Sequence, residues 1–155
     1  MEKSGSEKTY PSRRRACYQS VTGSGRFLID NFDFHISIEN MPKDRWVSIN
    51  ELEKIHNKYK NAGFCLDTAH AFSYSKVHLK EIIDHLGGKI TQVHLSGRRN
   101  GRDHVALTEA DTGFYESIIP LKEINVPVII EEDMEFNIKK ARKEVAEVKK
   151  LLQNS

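Results

Sequence analysis

Four residues that can bind a metal each come directly after a short apolar run, and they are Glu39, Asp67, His94 and Glu131. Carboxylate oxygens with one imidazole nitrogen form a hard, mostly oxygen ligand set. Such a set suits Mn²⁺, Mg²⁺ or Co²⁺ and can also hold Zn²⁺. A single acid in this position more often caps a helix or pairs with Lys or Arg. Because the pattern recurs after four successive runs, it favours a shared metal site.

Two histidines and a pair of arginines lie near these positions. His70 follows Asp67 by three residues, so one turn can bring both toward the same cavity. There His70 would bind metal or substrate, and the alternative is a histidine bonded to the backbone. His104 lies in a polar segment with Arg98 and Arg102. This segment could bind a phosphate or a sugar hydroxyl, because the guanidinium group of Arg offers several hydrogen-bond donors in a fixed planar geometry. The alternative is an ordinary exposed loop.

The apolar runs alternate with helical patterns. The predicted strands cover residues 34–38, 63–66, 90–93 and 127–130. Ser48 and Glu51 form a capping box at the start of the first helix, and a long loop before residue 114 leads to a helix over about 114–124. The last helix carries one apolar face, formed by Ala141, Val145, Val148 and Leu152.

This alternation predicts an α/β fold with a parallel sheet and right-handed crossovers. The strands are nearly continuous apolar runs, as expected when both faces of the sheet are covered. Sites in parallel α/β proteins form beyond the carboxyl ends of the strands. The four candidate ligands are therefore expected to converge on one point.

Composition sets the broad class of the protein. The chain has 155 residues and a net charge of +2, which argues against nucleic acid as the main partner. It has no apolar run long enough to span a bilayer. The two cysteines, Cys17 and Cys65, are far apart, which fits a reducing cytoplasm. Residues 1–33 are polar and are expected to form a disordered tail, with one domain over residues 34–155.

Four motifs in order suggest a family. They are Ile38-Glu39-Asn40-Met41-Pro42, Leu66-Asp67-Thr68-Ala69-His70-Ala71-Phe72, Val93-His94-Leu95-Ser96 and Val128-Ile129-Ile130-Glu131. Together they resemble the second half of the xylose isomerase-like TIM barrels (AP endonuclease family 2). That superfamily includes sugar and sugar-phosphate isomerases and epimerases and the endonuclease IV type of abasic-site nuclease. The resemblance implies a partial, half TIM barrel of four parallel β–α units.

The resemblance also implies roles for the candidate residues. Glu39, Asp67, His94 and Glu131 match the ligands of a single divalent metal, with Mn²⁺ expected first and Mg²⁺, Co²⁺ or Zn²⁺ as alternatives. Glu39 and Glu131 match the acid/base pair of the epimerases. The residues expected to contact a small carbohydrate substrate are His70, Arg98, Arg102 and His104.

The function expected from this resemblance is a metal-dependent sugar or sugar-phosphate isomerase or epimerase. Two alternatives stay open: an abasic-site nuclease relative, and a truncated half barrel without activity. The nucleases carry an Asp-x-His pair, whereas Asp103 and His104 are adjacent here. The sequence pattern shows only four of the eight β–α units of a TIM barrel. Two copies, or a partner chain, are therefore expected to close an eight-stranded barrel.

Overall fold

A computed structural model describes residues 36–43, 48–59, 61–133 and 137–153. The predicted tail over residues 1–33 lies outside these ranges, as do Phe34 and His35 of the first predicted strand. The strands are β1 (Ile36–Glu39), β2 (Ala62–Asp67), β3 (Ile90–Leu95), β4 (Gly97–Arg99), β5 (Arg102–Val105) and β6 (Val128–Ile130).

Four of these strands form one parallel sheet in the order β1-β2-β3-β6. This sheet confirms the predicted α/β fold and is consistent with a partial TIM barrel. The described residues do not form a closed barrel. In the register of the sheet Asp67 is paired with His94, and His94 with Ile129, the second residue before Glu131. The carboxyl ends of the strands therefore meet at one edge, although β3 continues one residue past His94.

Helices follow the strands of this sheet along the chain. They are α1 (Ile49–Lys58), α2 (Thr68–Phe72), α3 (His78–Leu86), α4 (Phe114–Ile118) and α5 (Ile138–Gln153). The predicted capping box is present, because the Ser48 hydroxyl accepts from the Glu51 N–H and the Glu51 carboxylate accepts from the Ser48 N–H. The helix predicted over 114–124 is shorter than expected. It ends at Ile118 and continues as a 3₁₀ helix (Ile119–Glu123) that contains Pro120, which has no N–H to continue an α-helix.

The core lies on the helix side of the sheet. Phe64, Leu66, Val93 and Leu95 are at most 2% exposed and belong to this core. Successive side chains of a strand point to opposite faces. The residues that alternate with these core positions, Asp67 and His94, therefore point to the other face. In the described part of the chain no helix has the length and apolar character needed to cross a membrane.

The segment predicted as a long loop contains a β-hairpin. Strands β4 and β5 are antiparallel and are joined by Asn100 and Gly101, whose φ angles are 50° and 82°. A two-residue turn with positive φ at both positions matches the right-handed twist of the strands, and Asn-Gly is its preferred sequence. The hairpin gives Arg98 and His104 fixed positions beside the carboxyl edge of the sheet.

Candidate functional site

His94 lies between two glutamates. Its Nδ1 is 3.3 Å from Glu39 Oε2 and 2.6 Å from Glu131 Oε2. Neither approach is aligned as a hydrogen bond, because the buried Nδ1 has no hydrogen-bond partner within the described residues. Two carboxylate oxygens and an imidazole nitrogen thus converge on one point.

Asp67 is the deepest acid of the site, with 0% of its side chain exposed. Its Oδ1 caps α2 by accepting from the N–H of His70 at 2.7 Å. Its Oδ2 is buried and has no hydrogen-bond partner among the residues described. Burial raises the pKa of this carboxyl to about 6, against the opposing effect of His70. One oxygen therefore has the helix-capping role common for acids after strands, and the other remains available to a metal.

The four predicted ligands meet through overlapping groups. Glu39 and Asp67 have ligand atoms within 4.8 Å of each other in one group, as do Asp67 and Glu131 in another. Together with the contacts of His94 to both glutamates, these distances join the four residues in a closed ring. Among the described residues no single group has all four within 4.8 Å of one another. His70 and His104 instead complete the two groups that contain Asp67.

His70 makes the hydrogen bond to the backbone that was one of its two expected roles. Its Nδ1 is 2.9 Å from the carbonyl oxygen of Asn40, which can only accept, so this nitrogen carries a proton. The same Nδ1 is 3.1 Å from Glu39 Oε1. Burial opposes protonation of the ring, but Glu39, Asp67 and the Asn40 carbonyl together raise its pKa to about 9. His70 therefore acts here as a cationic partner of Glu39.

His104 closes the site from the hairpin side. Its backbone has a φ of 59°, a left-handed conformation that a residue other than glycine rarely adopts. Its ring stands edge-on to that of His70, with 5.7 Å between the centroids, and its Nδ1 is 3.4 Å from the Glu131 carbonyl oxygen. Strained backbone of this kind persists where the surrounding structure holds it, often at functional sites.

The two arginines predicted to contact substrate lie in different places. Arg98 lines a cavity of about 800 Å³ next to His70 and His104, and its Nη1 binds Asp103. Arg102 is 70% exposed and lies 3.4 Å from Asp133, away from the residues that line this cavity. The geometry thus places Arg98 beside the site and Arg102 at the surface.

Three further residues were not predicted from the sequence. Asn40 is 4% exposed and exchanges two hydrogen bonds with the backbone of Asp67, at 2.6 and 3.0 Å. Cys65 groups with Glu39 and His94, but burial raises the pKa of its thiol to about 11, so it stays protonated at neutral pH. Gln92 Nε2 lies 3.4 Å from His94 Nε2. The alternation of β2 and β3 could have indicated Cys65 and Gln92, because each lies two residues before a ligand on the same face.

The arrangement fits a divalent metal. Adjacent ligands of an octahedral Mg²⁺ site lie roughly 3 Å apart, given metal–oxygen distances of about 2.1 Å. The contacts of His94 with Glu39 and Glu131 fall near this spacing. The buried Oδ2 of Asp67 offers another oxygen that lacks a hydrogen-bond partner in the described structure. Three carboxylates and one imidazole form a ligand set suited to Mn²⁺ or Mg²⁺.

One comparison with known proteins identifies the family of the chain. The model of the family described as Xylose isomerase-like TIM barrel matches residues 4–152. A search of curated proteins found no match. The family includes isomerases, epimerases and endonuclease IV, and its members generally bind divalent metals. The match covers most of the chain, and the parallel sheet is consistent with it. The chain therefore belongs to the xylose isomerase-like TIM barrel family.

Proposed function

We propose that the chain binds one divalent metal through Glu39, Asp67, His94 and Glu131 and acts in metal-dependent isomerisation or epimerisation of a sugar or sugar phosphate. The observation that carries the proposal is the position of His94 Nδ1 between the carboxylates of Glu39 and Glu131. The residues proposed to bind the metal therefore include the two carboxylates proposed to transfer protons. Mn²⁺ is the expected metal, because the ligands are mostly carboxylate oxygens.

The chemistry divides between the metal and the protein. When bound, the metal would polarise the substrate carbonyl and its adjacent hydroxyl. Glu39 and Glu131 would flank the neighbouring carbon, so one carboxylate takes its proton and the other returns a proton to the opposite face. An epimerisation of this kind inverts the carbon and leaves the net number of protons unchanged.

His70 would prepare Glu39 for this role. The hydrogen bond from His70 lowers the pKa of Glu39, with burial opposing the effect, so the carboxylate is ionised at neutral pH. Because Asn40 holds the same imidazole, the orientation of Glu39 is fixed as well as its charge. A base that is fixed before the substrate arrives loses less conformational entropy in the transition state.

The test is metal binding followed by activity. We expect wild-type protein to bind about one Mn²⁺ per site in calorimetric titration and Glu131→Ala to bind at least tenfold more weakly, since it lacks one charged ligand. Glu116→Ala is the matched control, because Glu116 is exposed on α4. Equal Mn²⁺ affinity of wild type and Glu131→Ala would overturn the proposal. Proton exchange at the substrate carbon in deuterated water would then test the reaction.

We also propose that a second copy of the chain completes the barrel. The described sheet has four parallel strands, with β1 and β6 at its edges, whereas the fold of the family has eight. Strand edges and partly exposed apolar residues such as Ile129, which is 46% exposed, favour association. Light scattering during size-exclusion chromatography is expected to give the mass of a dimer. A stable monomer in dilute solution would refute this part.

A second candidate, abasic-site hydrolysis, is favoured by one observation. Asp67 forms a possible metal group with His104 and Glu131, and another with His70 and Glu39, as a site for more than one metal would require. Against it, His70 Nδ1 is bonded to Asn40 and Asp103 to Arg98. Cleavage of abasic duplex DNA in the presence of Zn²⁺, with more than one Zn²⁺ bound per chain, would support this candidate over the isomerase.

A further inference from the structure

Helix α5 turns one acid toward the interior of the protein. Glu144 is 3% exposed, whereas its neighbour Val145 is 42% exposed, so the helix buries a carboxylate and leaves an apolar side chain at the surface. Moving an ionised carboxylate out of water is strongly unfavourable unless a counter-charge compensates for it. Within the described ranges Glu144 forms no ion pair, although α5 is rich in Lys and Arg. The burial of this acid therefore requires another counter-charge.

A second acid, Glu132, lies next to Glu144. Glu132 Oε1 accepts a hydrogen bond from the backbone N–H of Leu107 at 3.3 Å. Glu144 Oε1 accepts one from the hydroxyl of the next residue, Thr108, at 3.3 Å. The two carboxylates, called the acid pair below, are therefore held side by side, and the charge of Glu144 acts on Glu132. Neighbouring carboxylates repel each other when both are ionised.

Each carboxylate of the acid pair keeps one oxygen without a partner. Glu132 Oε2 and Glu144 Oε2 are both buried, and neither has a hydrogen-bond partner among the residues described. Asp67 divides its oxygens in the same way, with one bound to a backbone N–H and the other unpartnered. Two buried carboxylate oxygens of this kind attract a cation. Because both donors are oxygen atoms, they suit Ca²⁺ or Mg²⁺.

The acid pair is separate from the site proposed for Mn²⁺. Among the described residues, the groups of three or more potential metal ligands include neither of the two acids. The hydrogen-bond donors of the acid pair belong to the 3₁₀ helix after β5 (Leu107–Glu109), and Leu107 is part of the core on the helix side of the sheet. The side chains of Asp67 and His94 point to the opposite face of the sheet.

We propose that the acid pair binds a hard divalent cation, Ca²⁺ or Mg²⁺, through Glu132 Oε2 and Glu144 Oε2. This site is additional to the Mn²⁺ site and does not depend on it. The cation would neutralise the buried charge of Glu144. It would also join α5 to the segment that follows β5, the strand that carries His104. The C-terminal helix would thus be tied to the hairpin beside the Mn²⁺ site.

The test is cation binding by a full chain in which the Mn²⁺ site is impaired. His94→Gln removes the imidazole ligand of that site and leaves the acid pair intact. Calorimetric titration of this variant with Ca²⁺, and separately with Mg²⁺, is expected to show binding of at least one of the two ions. Adding Glu144→Gln should weaken this binding by about tenfold or more, since even the loss of a residue that supports a ligand has such an effect.

A surface substitution of the same kind is the matched control. Glu116→Gln changes an exposed acid of α4 and should leave the affinity of the His94→Gln chain unchanged. Binding of neither ion to the His94→Gln chain would overturn the proposal. Equal binding with and without Glu144→Gln would also overturn it, because the acid pair would then be compensated by a shared proton and not by a cation.

Tyr115 provides a second measurement that leaves both acids in place. The charges of Glu132 and Glu144 act on the Tyr115 hydroxyl, so its ring lies beside the acid pair. Tb³⁺ replaces Ca²⁺ at oxygen sites, and a nearby tyrosine sensitises its luminescence. Emission excited through tyrosine is expected from the His94→Gln chain and should be lost in Tyr115→Phe. Emission that is undiminished in Tyr115→Phe would place the ion elsewhere and would overturn the assignment.

The Mn²⁺ titration tests a different set of residues, so the two proposals can fail separately. If Glu131→Ala binds Mn²⁺ as well as wild type does, the isomerase proposal is wrong and the cation site of the acid pair is unaffected. If Glu144→Gln binds Ca²⁺ and Mg²⁺ unchanged, only the site of the acid pair is wrong.

Discussion

Glu39 and His70 form an ion pair at the centre of the site, with 3.1 Å between Oε1 and Nδ1. The pKa of His70 is raised to about 9, so the ring is cationic at neutral pH. The stability that this protonation contributes is fully present below the ordinary histidine pKa of 6.5 and is lost as the pH rises through about 9. The pair therefore stabilises the metal-free protein over the physiological range.

Replacing the carboxylate tests this pair. We expect Glu39→Gln to lower the His70 pKa, because Glu39 contributes both a hydrogen bond and a charge. The free energy of unfolding at pH 7 should fall by about 1.5 kcal/mol or more. Imidazole NMR shifts followed over pH 5–10 measure the pKa. Glu53→Gln is the control, and an unchanged His70 titration in Glu39→Gln would show that the pair is not the cause.

The raised pKa of Asp67 is expected to have opposite effects on two quantities as the pH falls, the stability of the metal-free protein and the affinity for Mn²⁺. Its folded-state pKa, about 6, is above the ordinary 3.8, so between these values the folded protein binds more protons than the unfolded chain. Through this group the stability of the metal-free protein therefore rises as the pH falls from about 6 to about 4. Mn²⁺ affinity should fall over the same interval by about tenfold per pH unit, because the metal must displace the proton.

Thermal unfolding at several pH values, with and without Mn²⁺, measures both effects. Asp67→Asn removes the titrating group, so the metal-free protein should lose this part of its pH dependence. Asp84→Asn is the control, because Asp84 is about half-exposed and pairs with Lys80. A Mn²⁺ affinity that is constant between pH 6 and 4 would contradict the prediction.

The sequence predicted the parallel sheet, and the positions of four polar side chains at its carboxyl edge, because both follow from local patterns. The apolar runs before Glu39, Asp67 and Glu131 mark strands, and parallel strands place their carboxyl ends together. Of these three strands only β2 is buried along its whole length, whereas β1 and β6 are partly exposed. The hairpin was missed, although Asn100-Gly101 is a strong turn signal. Its strands have only three and four residues, too few to show a hydrophobic alternation.

Other features could not be read from local patterns because distant packing determines them. Asn40 is buried by its pairing with Asp67, which lies 27 residues later in the chain. On α5 the predicted apolar face is only partly correct. Val148 is buried, but Val145 is 42% exposed and Glu144 is 3% exposed. The helical periodicity of the sequence predicts which residues share one face of the helix. How that face is rotated relative to the core depends on tertiary contacts.

Asn40 is predicted to maintain the geometry of two site residues at once. Its side-chain amide forms hydrogen bonds with the backbone N–H and the backbone carbonyl of Asp67. The backbone carbonyl of Asn40 accepts a hydrogen bond from the His70 ring. Asn40→Ala leaves a buried N–H and C=O without partners, so unfolding should become easier by about 2 kcal/mol or more. Chemical denaturation measures this loss. Asn125→Ala, at an exposed position, is the control, and a difference below about 0.5 kcal/mol between the two would contradict the prediction.

Gly63 is predicted to be required where β2 passes Thr91 of β3. A Cβ at this position would lie 2.3 Å from Thr91 Cγ2, which no strand can accommodate without a shift. Gly63→Ala should therefore destabilise the protein by about 1–3 kcal/mol, as overpacking does. Gly88→Ala is the matched control, since nothing lies within 4 Å of the added carbon there.

A second substitution can identify the cause of this loss. Thr91→Ser removes Cγ2 and keeps the hydroxyl that donates to the Phe64 carbonyl at 3.1 Å. The double variant Gly63→Ala/Thr91→Ser should then recover most of the stability that Gly63→Ala loses. This recovery would appear as a coupling energy in a double-mutant cycle measured by denaturation. If the two effects simply add, the cost at Gly63 comes from the backbone and not from the methyl group of Thr91.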